Sequence, residues 1–353
     1  MHEQHGQPKR RRVLPPDIAG SNLKLWLRSD LGVTLVADPV IGAWTLAAGW
    51  TAAGGGVYSH AGAADNLSQA ILVVGNAYRV TYTVSGVSGG TIRPYAGTTA
   101  GTSRAADGTY TEVLVCAGNT SMIFVGNGTA SVGAISIESL SVSAWADQSG
   151  NGHDVVQATA TKQPTYYSSG GPSDLPYVLF DGVADTLAVA DHSDFDVGNG
   201  SWFVLTALRW ISGGASYRCH IAKASPAVGN GFRLFHSNTS RMVAHWGTDV
   251  QPYPSPVAPL VSDGPDFLYG AGHDSISSQV VYRLNGVEVR MAAASAGTGS
   301  NAEPLVLGAS SDGTGYITNF RMYEVAIWKL GAVAVPSADL AILDSWLGAR
   351  YSL

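Results

Sequence analysis

Charged residues are scarce in this sequence. Asp, Glu, Lys and Arg make up 13% of its 353 residues, about half of the usual share for a soluble domain. The formal net charge is −6, so the chain lacks the excess of cations with which a protein neutralises nucleic-acid phosphates. We therefore expect no nucleic-acid partner.

Cysteines and long apolar runs are also rare. The two cysteines, Cys116 and Cys219, are far apart in the sequence, and we expect them to be unpaired and in different domains. This spacing argues against a small domain stapled by disulfides. No apolar run approaches the roughly 20 residues of a membrane-spanning helix, so we expect no membrane insertion.

The first residues contain no apolar stretch of the kind found in a signal peptide, and we expect a protein made in a reducing cytoplasm. Residues 1–20 form a basic N-terminal arm, in which Lys9, Arg10, Arg11 and Arg12 precede two prolines. Adjacent cations repel one another, and Pro-Pro disfavours a helix. One interpretation is a solvated tail, and the other is an anchor that docks on an acidic neighbour.

Glycine, in contrast, is abundant, with 43 residues, and short apolar stretches separated by turn clusters are typical of β-sheet proteins. One such stretch predicts a strand with a single buried face, because Tyr78, Val80, Tyr82 and Val84 alternate with polar residues. A single helix is predicted near the C-terminus. Its apolar stripe consists of Leu340, Leu343, Leu347 and Tyr351.

Residues 45–142 differ from the rest of the chain. They contain no lysine and only seven charged residues, namely Asp65, Arg79, Arg93, Arg104, Asp107, Glu112 and Glu138. Strand patterns recur between Gly-rich turns throughout this stretch. A stretch of about a hundred residues is enough for a complete β-sandwich, and we expect one here.

Segments outside this stretch resemble the concanavalin A-like (laminin-G-like) jelly roll of many bacterial and phage proteins. The matching positions are residues 25–34, 142–153, 163–166, 177–182, Phe195, and residues 201–205, 282–287, 305–308, 319–328 and 340–351. In similar proteins the first two segments lie close together in the sequence, whereas here about a hundred residues, most of them in the low-charge stretch 45–142, separate them. The resemblance therefore implies an all-β protein of two β-sandwich (jelly-roll) domains, one inserted in the other, plus a short C-terminal helix. The jelly roll comprises residues 21–44 and 143–353, and the insert comprises residues 45–142.

The insert resembles the jelly rolls of carbohydrate-binding modules, through the segments at residues 49–51, 57–60, 67–69, 78–84 and 108–112. Sugar recognition on a β-sandwich uses aromatic faces that stack on pyranose rings. The candidate carbohydrate-binding residues are Trp50, Tyr58, Tyr95 and Tyr110 in the insert, and His245, Trp246 and Tyr253 beside a Pro-rich loop of the larger domain. The alternative for each residue is ordinary packing in a core or at a sheet edge.

No catalytic motif is recognisable. Catalytic relatives of this fold carry Glu-x-Asp-x-x-Glu on one strand, where two carboxylates act as nucleophile and acid. None of the six glutamates lies in that pattern, and Gly-x-Ser-x-Gly, His-Glu-x-x-His and P-loop motifs are missing. We therefore expect no enzymatic activity and no catalytic residues.

One short loop offers ligands for a metal. Asp191, Asp194 and Asp196 lie close together in the sequence, and calcium takes about six to eight oxygen ligands. The alternative is ordinary turn chemistry, in which the carboxylates cap backbone N–H groups. The nine histidines show no ligand spacing, so calcium is the only cofactor considered.

The combined features predict a non-enzymatic virion structural protein of a bacteriophage, in a tail, a fibre or a head decoration. The basic arm would bind other virion proteins, and the sandwiches would contact host surface polysaccharide. We expect a homo-oligomer on the particle. Two alternatives are a secreted bacterial carbohydrate-binding protein and a virion scaffold subunit that binds only protein.

Overall fold

The computed structural model describes residues 14–18, 22–212, 218–224, 230–236, 242–246, 249–252, 264–292 and 301–353. Its strands are β1 (Leu23–Arg28), β2 (Val33–Leu35), β3 (Thr45–Leu46), β4 (Trp50–Gly54), β5 (Val57–His60), β6 (Asp65–Ala70), β7 (Ala77–Ala96), β8 (Thr99–Ala100), β9 (Gly108–Val115), β10 (Ser121–Ser139), β11 (Val142–Trp145), β12 (Val155–Val156), β13 (Thr165–Tyr167), β14 (Tyr177–Asp181), β15 (Leu187–Val189), β16 (Ser201–Ser212), β17 (Arg218–Ala222), β18 (Phe232–His236), β19 (Met242–Trp246), β20 (Asp249–Pro252), β21 (Phe267–Asp274), β22 (Gln279–Leu284), β23 (Val287–Ala292), β24 (Leu305–Leu307) and β25 (Asn319–Gly331). Within these described residues one α-helix, α1, spans Ser337–Tyr351, and short 3-10 turns occur at Pro15–Asp17, Ala160–Lys162, Pro172–Asp174 and Ser193–Phe195.

Two large antiparallel sheets form the larger sandwich. The first has the order β13-β14-β25-β16-β21-β22-β23, with β1 paired to β25, and the second has the order β2-β11-β12-β15-β24-β17-β18-β19-β20. Buried side chains of both sheets meet in one core, in which Trp202 of the first sheet stacks on Phe232 of the second with ring centroids 4.9 Å apart. Burial of apolar area between the sheets is the main stabilising contribution.

The helix α1 covers the outer face of the first sheet. Leu340, Leu343, Leu347 and Tyr351 are all buried in a second core on this face. The prediction of a C-terminal packing helix with this apolar stripe is therefore confirmed, as is the all-β class with antiparallel β-sandwiches.

The described part of the predicted arm 1–20 packs on the larger sandwich. Lys9, Arg10, Arg11 and Arg12 lie outside the described residues. Ile18 is 0% exposed and Pro15 is buried, and the Pro15 carbonyl accepts a hydrogen bond from Trp328 Nε1 at 3.2 Å. The apolar end of the arm thus packs on its own chain, because it covers apolar surface beside α1.

All strands of the third sheet come from residues 45–139. Its order is β3-β6-β10-β5-β4, and β7 pairs with β10, β8 and β9. The long strands β7 and β10 pair along most of their length, with register shifts near Thr129. Gly86 and Gly89, at φ 63° and 65°, lie in the same region of β7, where a bulge re-aims the strand.

The third sheet folds over its own core. Tyr82 lies on the first half of β7 and Phe124 on the half of β10 that pairs with the second half of β7, yet their ring centroids are 5.2 Å apart. Two of the predicted domain limits need correction. Trp44 packs in this core, directly before β3, and Val142 packs in the core of the larger sandwich, where β11 pairs with β2.

The chain leaves and re-enters the larger sandwich at neighbouring positions. β2 pairs with β11, with Leu35 opposite Val142, and the Ser139 N–H donates to Asp38 Oδ1 at 2.7 Å. No helix in the described ranges has the length and apolar character needed to span a bilayer.

Candidate functional site

The outer face of the third sheet, where β6, β10 and β7 lie side by side, presents one of the predicted aromatic residues. On β7, Ile92 and Ala96 are fully buried, whereas Arg93 and Tyr95 alternate with them and are partly exposed. On β10, Ile123 and Val125 are likewise partly exposed between buried neighbours. The period of two places these four side chains on the face away from the core.

The strand register assembles them into two rows. Tyr95 lies opposite Ile123, which lies opposite Ser68 of β6. Arg93 lies opposite Val125, which lies opposite Asn66. We call this set the Tyr95 face; its members are Asn66, Ser68, Arg93, Tyr95, Ile123 and Val125. Three strands about 4.8 Å apart give a platform roughly 10 Å wide.

The guanidinium of Arg93 is fixed beside the ring of Tyr95. Arg93 Nε donates to the Gly101 carbonyl at 2.8 Å, and its guanidinium carbon lies 5.4 Å from the Tyr95 centroid. A Cβ at Gly101 would lie 2.5 Å from Glu112 Oε2 and 2.8 Å from Pro94 Cγ, so a larger residue at this position would have to displace these side chains. The Tyr95 face thus combines an aromatic ring with a positioned hydrogen-bond donor.

A carboxylate lies at the start of β6, next to Asn66. Asp65 Oδ2 accepts from the Gly49 N–H at 3.0 Å, and Oδ1 accepts from the Asn66 N–H at 2.8 Å. These backbone hydrogen bonds, with that from Gly49 the largest cause, lower the pKa of Asp65 below its ordinary value. Both oxygens thus accept from backbone N–H groups, and the alternation along β6 places the Asp65 side chain on the face opposite Asn66 and Ser68.

The structure excludes Trp50 as a stacking residue. Its side chain is 4% exposed, its Nε1 donates to the Asp65 carbonyl at 3.1 Å, and its ring lies 5.1 Å from that of His60. The prediction that Trp50 contacts sugar is therefore corrected: the indole belongs to the core, because its large apolar area is buried there.

Tyr58 and Tyr110 lie at the rim of the same core, away from Tyr95. Their strand partners, Val132 and Tyr82, are both fully buried. The Tyr58 ring lies 6.3 Å from that of Trp44. The Tyr110 hydroxyl donates to the Ala106 carbonyl at 2.9 Å. The guanidinium carbon of Arg104 lies 4.5 Å from the centroid of the Tyr110 ring. The sandwich does not bring these two tyrosines onto the face that carries Tyr95.

The aromatic candidates of the larger sandwich do not form a described site. His245 is 5% exposed, and its Nε2 lies 3.1 Å from Arg233 Nη2, so it is a buried residue and not the surface contact that was predicted. Trp246 ends β19, but its side chain is outside the described part of the structure. Tyr253 lies outside the described residues.

The three aspartates of the predicted calcium loop do not converge. Asp191 Oδ1 lies 2.6 Å and Asp196 Oδ1 3.6 Å from the Nζ of Lys223, whose side chain is fully buried. Asp194 points elsewhere, towards Lys24 at 3.2 Å. The three carboxylates thus do not offer a shared oxygen cage, because Asp191 and Asp196 face the ammonium of Lys223 and Asp194 is directed away from them.

The sequence did not reveal the partners of Tyr95 on β6 and β10. The alternation along residues 91–95 places Arg93 and Tyr95 on one face. Asn66, Ser68, Ile123 and Val125 join them only through strand pairing between segments far apart in the chain, which no local pattern reports.

No protein-family model and no curated protein matches the chain. Solved structures to which it is similar include the binding domain of Paraclostridial Mosquitocidal Protein 1, with TM-score 0.45 and 9% identity over 57% of this chain and 49% of that chain. NanB sialidase from Streptococcus pneumoniae gives 0.37 and 13% over 49% and 27%. Trypanosoma rangeli sialidase gives 0.41 and 11% over 59% and 31%. The chain thus spans half or less of the length of these structures, and similarity at this level assigns no activity.

The expectation that the chain is not an enzyme is contradicted by this comparison and is withdrawn. Sialidases, which are glycoside hydrolases, recur among the similar structures. The expectation depended on the missing pair of carboxylates. That criterion was too narrow, because sialidases use a tyrosine nucleophile in place of one carboxylate.

Proposed function

We propose that the protein binds a glycan on the Tyr95 face. The observation that carries the proposal is the partly exposed Tyr95 ring, with the Arg93 guanidinium 5.4 Å from its centroid and the polar side chains of Asn66 and Ser68 in the same two rows. A pyranose ring stacks its C–H face on such an aromatic ring, and its hydroxyls bond to neighbouring amide and guanidinium groups.

The remaining members of the face suit this ligand class. Ile123 and Val125 on β10 lie between β7, which carries Tyr95, and β6, which carries Asn66 and Ser68. They offer apolar contact to the C–H groups of a sugar. An extended polysaccharide is favoured over a single buried sugar, because the platform is an open sheet face.

The test is retention of the full-length protein on immobilised bacterial surface polysaccharides. Tyr95→Ala removes the ring and is expected to weaken retention about fivefold, since one stacking contact contributes roughly 1 kcal/mol. Tyr95→Phe is expected to retain most of the binding, because the stacking ring remains.

The matched control is Thr111→Ala, on the outer face of the other half of the sandwich. Thr111 is exposed, and its hydroxyl lies 3.0 Å from that of Thr81. This variant should bind as the parent does. Equal retention of the parent and Tyr95→Ala on every polysaccharide bound by the parent would contradict the proposal.

As the setting of this binding we propose a phage particle. The support is the resemblance to phage jelly rolls, the low share of charged residues and the basic arm at Lys9, Arg10, Arg11 and Arg12. Arginine and lysine side chains would find acidic residues on a neighbouring virion protein, and copies of the chain would repeat on the particle.

The test compares incorporation of the parent and of a chain lacking residues 1–13 into particles. The truncation keeps Pro15 and Ile18, which pack on the sheet, so folding should be unaffected. Loss of incorporation supports the anchor. Normal incorporation would favour a subunit held by its sandwich faces, and no association of the parent with particles would favour a secreted bacterial binding protein.

A further inference from the structure

Two histidines and one aspartate meet at one end of the larger sandwich. His153 lies in the turn between β11 and β12, whereas His192 and Asp194 flank and enter the 3-10 turn Ser193–Phe195 before β16. His153 Nε2 is 2.9 Å from Asp194 Oδ2, and His192 Nδ1 is 3.4 Å from the same oxygen. All three ligand atoms lie within 4.8 Å of one another.

We propose that these three side chains bind a zinc-class divalent cation. Imidazole nitrogens and one carboxylate oxygen, about 2.0–2.2 Å from the metal, are typical ligands of Zn²⁺, and the related ions Co²⁺ and Ni²⁺ accept the same set. Ligand atoms in a tetrahedron of that size are about 3.3 Å apart, so the two distances to Asp194 Oδ2 need little change.

The site is held in place before any metal arrives. The His153 ring lies against Phe195 at 4.8 Å and against His192 at 4.5 Å, and it is 6% exposed. Asp194 Oδ1 is held by the Lys24 ammonium at 3.2 Å, which leaves Oδ2 directed at the histidines. Ligands fixed in this way lose little conformational freedom on binding.

His192 supplies both a nitrogen ligand atom and an opening to the solvent. Its Nδ1 accepts a hydrogen bond from the Asp194 N–H at 3.1 Å, so in this arrangement Nδ1 carries no proton. On binding, this lone pair passes from the amide to the cation. The His192 side chain is 49% exposed, and a water molecule therefore completes the coordination from the solvent side.

The ligand set selects this class of cation over calcium. Calcium takes only oxygen ligands, about six to eight of them, whereas two of the three groups here are nitrogens. The nearby Asp191 does not contribute, because its carboxylate binds Lys223 at 2.6 Å. The same loop thus contains one metal-binding carboxylate and two that neutralise a lysine.

The experiment titrates the full-length apoprotein with Co²⁺ and follows the visible absorption of the four-coordinate ion, with Zn²⁺ then added as a competitor. The expected result is one site per chain and loss of the absorption on adding Zn²⁺. His192→Ala and Asp194→Asn should each weaken Co²⁺ binding at least about tenfold. Circular dichroism shows whether these partly exposed substitutions leave the fold intact.

Two controls separate this site from other ligands. Asp191→Asn should bind Co²⁺ as the parent does, because this carboxylate faces Lys223. The double variant His2→Ala/His5→Ala removes the N-terminal histidines, and it should keep the site. No four-coordinate spectrum with the parent, or a spectrum unchanged in His192→Ala and lost in the double variant, would overturn the proposal.

Discussion

The Nζ of Lys223 lies 2.6 Å from Oδ1 of Asp191. The same buried ammonium donates to the backbone carbonyls of Asn301 and Glu303 at 3.0 and 2.5 Å, and to Asn301 Oδ1 at 3.0 Å. One amine therefore ties the end of β17 to the Asp191 loop and to the segment before β24. The ammonium of Lys223 therefore occupies the position beside Asp191 and Asp196 at which the sequence had predicted a calcium ion.

Lys223→Met should strongly destabilise the larger sandwich. Removal of the ammonium leaves several buried acceptors without a donor, and breaking such a buried pair costs about 3–5 kcal/mol. The measurement is the free energy of unfolding in urea. Lys24→Met is the matched control, because Lys24 forms a partly exposed ion pair, and it should cost at most about 1 kcal/mol. Similar losses in both variants would contradict this account.

Asp185 should make stability depend on pH. Burial, together with the neighbouring charge of Asp181, raises the pKa of Asp185 to about 8, and its side chain is 6% exposed. Between about pH 4, the ordinary value, and pH 8, the folded chain retains a proton that the unfolded chain has released. The free energy of unfolding therefore falls as pH rises through this window, by at most about 1.4 kcal/mol per pH unit.

Asp185→Asn tests this directly. Asp185 Oδ2 accepts from the Asp181 N–H at 2.9 Å, and an amide oxygen can replace it without ionising. The variant should lose the downward slope between pH 5 and 8 and should be more stable than the parent at pH 8. Urea titrations at several pH values measure the slope, and the same slope in both proteins would show that another group is responsible.

The domain insertion can be tested by deleting residues 39–138 and joining Asp38 to Ser139 with a short Gly-Ser linker. These two residues are already hydrogen-bonded at 2.7 Å, so closing the gap costs little entropy. The shortened chain should keep a β-sheet circular dichroism spectrum and one cooperative thermal transition. Aggregation, or melting without cooperativity, would indicate that the two sandwiches depend on each other.

Trp50 and Tyr95 should respond to alanine in opposite ways. Trp50 is 4% exposed in the core, so Trp50→Ala should cost about 3–5 kcal/mol of stability. Tyr95 lies on the outer face, and its replacement should cost less than about 1 kcal/mol while weakening polysaccharide retention. Parallel urea unfolding and retention assays measure both effects. A large loss of stability in Tyr95→Ala would mean that the ring is structural.

Local patterns predicted those elements whose burial follows a simple period. Tyr78, Val80, Tyr82 and Val84 are buried as their alternation indicated, and the stripe on α1 faces a core as predicted. The continuation of β7 to Ala96 was not predicted, because the glycines between the two halves read as a turn.

The candidate site was less accessible to sequence reasoning. Trp50 and Tyr95 are both aromatic residues in predicted strand segments, and neither local pattern shows which ring is buried. Only the pairing of β4 with β5 and of β7 with β10 decides which ring is buried. In the same way, the Asp191 loop looked like a calcium loop because its lysine partner comes from a distant strand.

β2 and β11 pair with each other although the whole third sheet lies between them in the sequence. This pairing has a consequence for the order of folding during synthesis. Residues 45–139 are contiguous and can fold as soon as they leave the ribosome, since domains fold as units. β1, in contrast, pairs with residues 324–328 of β25, so it waits until nearly the whole chain has been made. Early folding of the smaller sandwich brings Leu35 to Val142 and shortens the effective loop that the larger sandwich must close. A variant that slows folding of the smaller sandwich should therefore delay the larger one, although it touches none of its core residues.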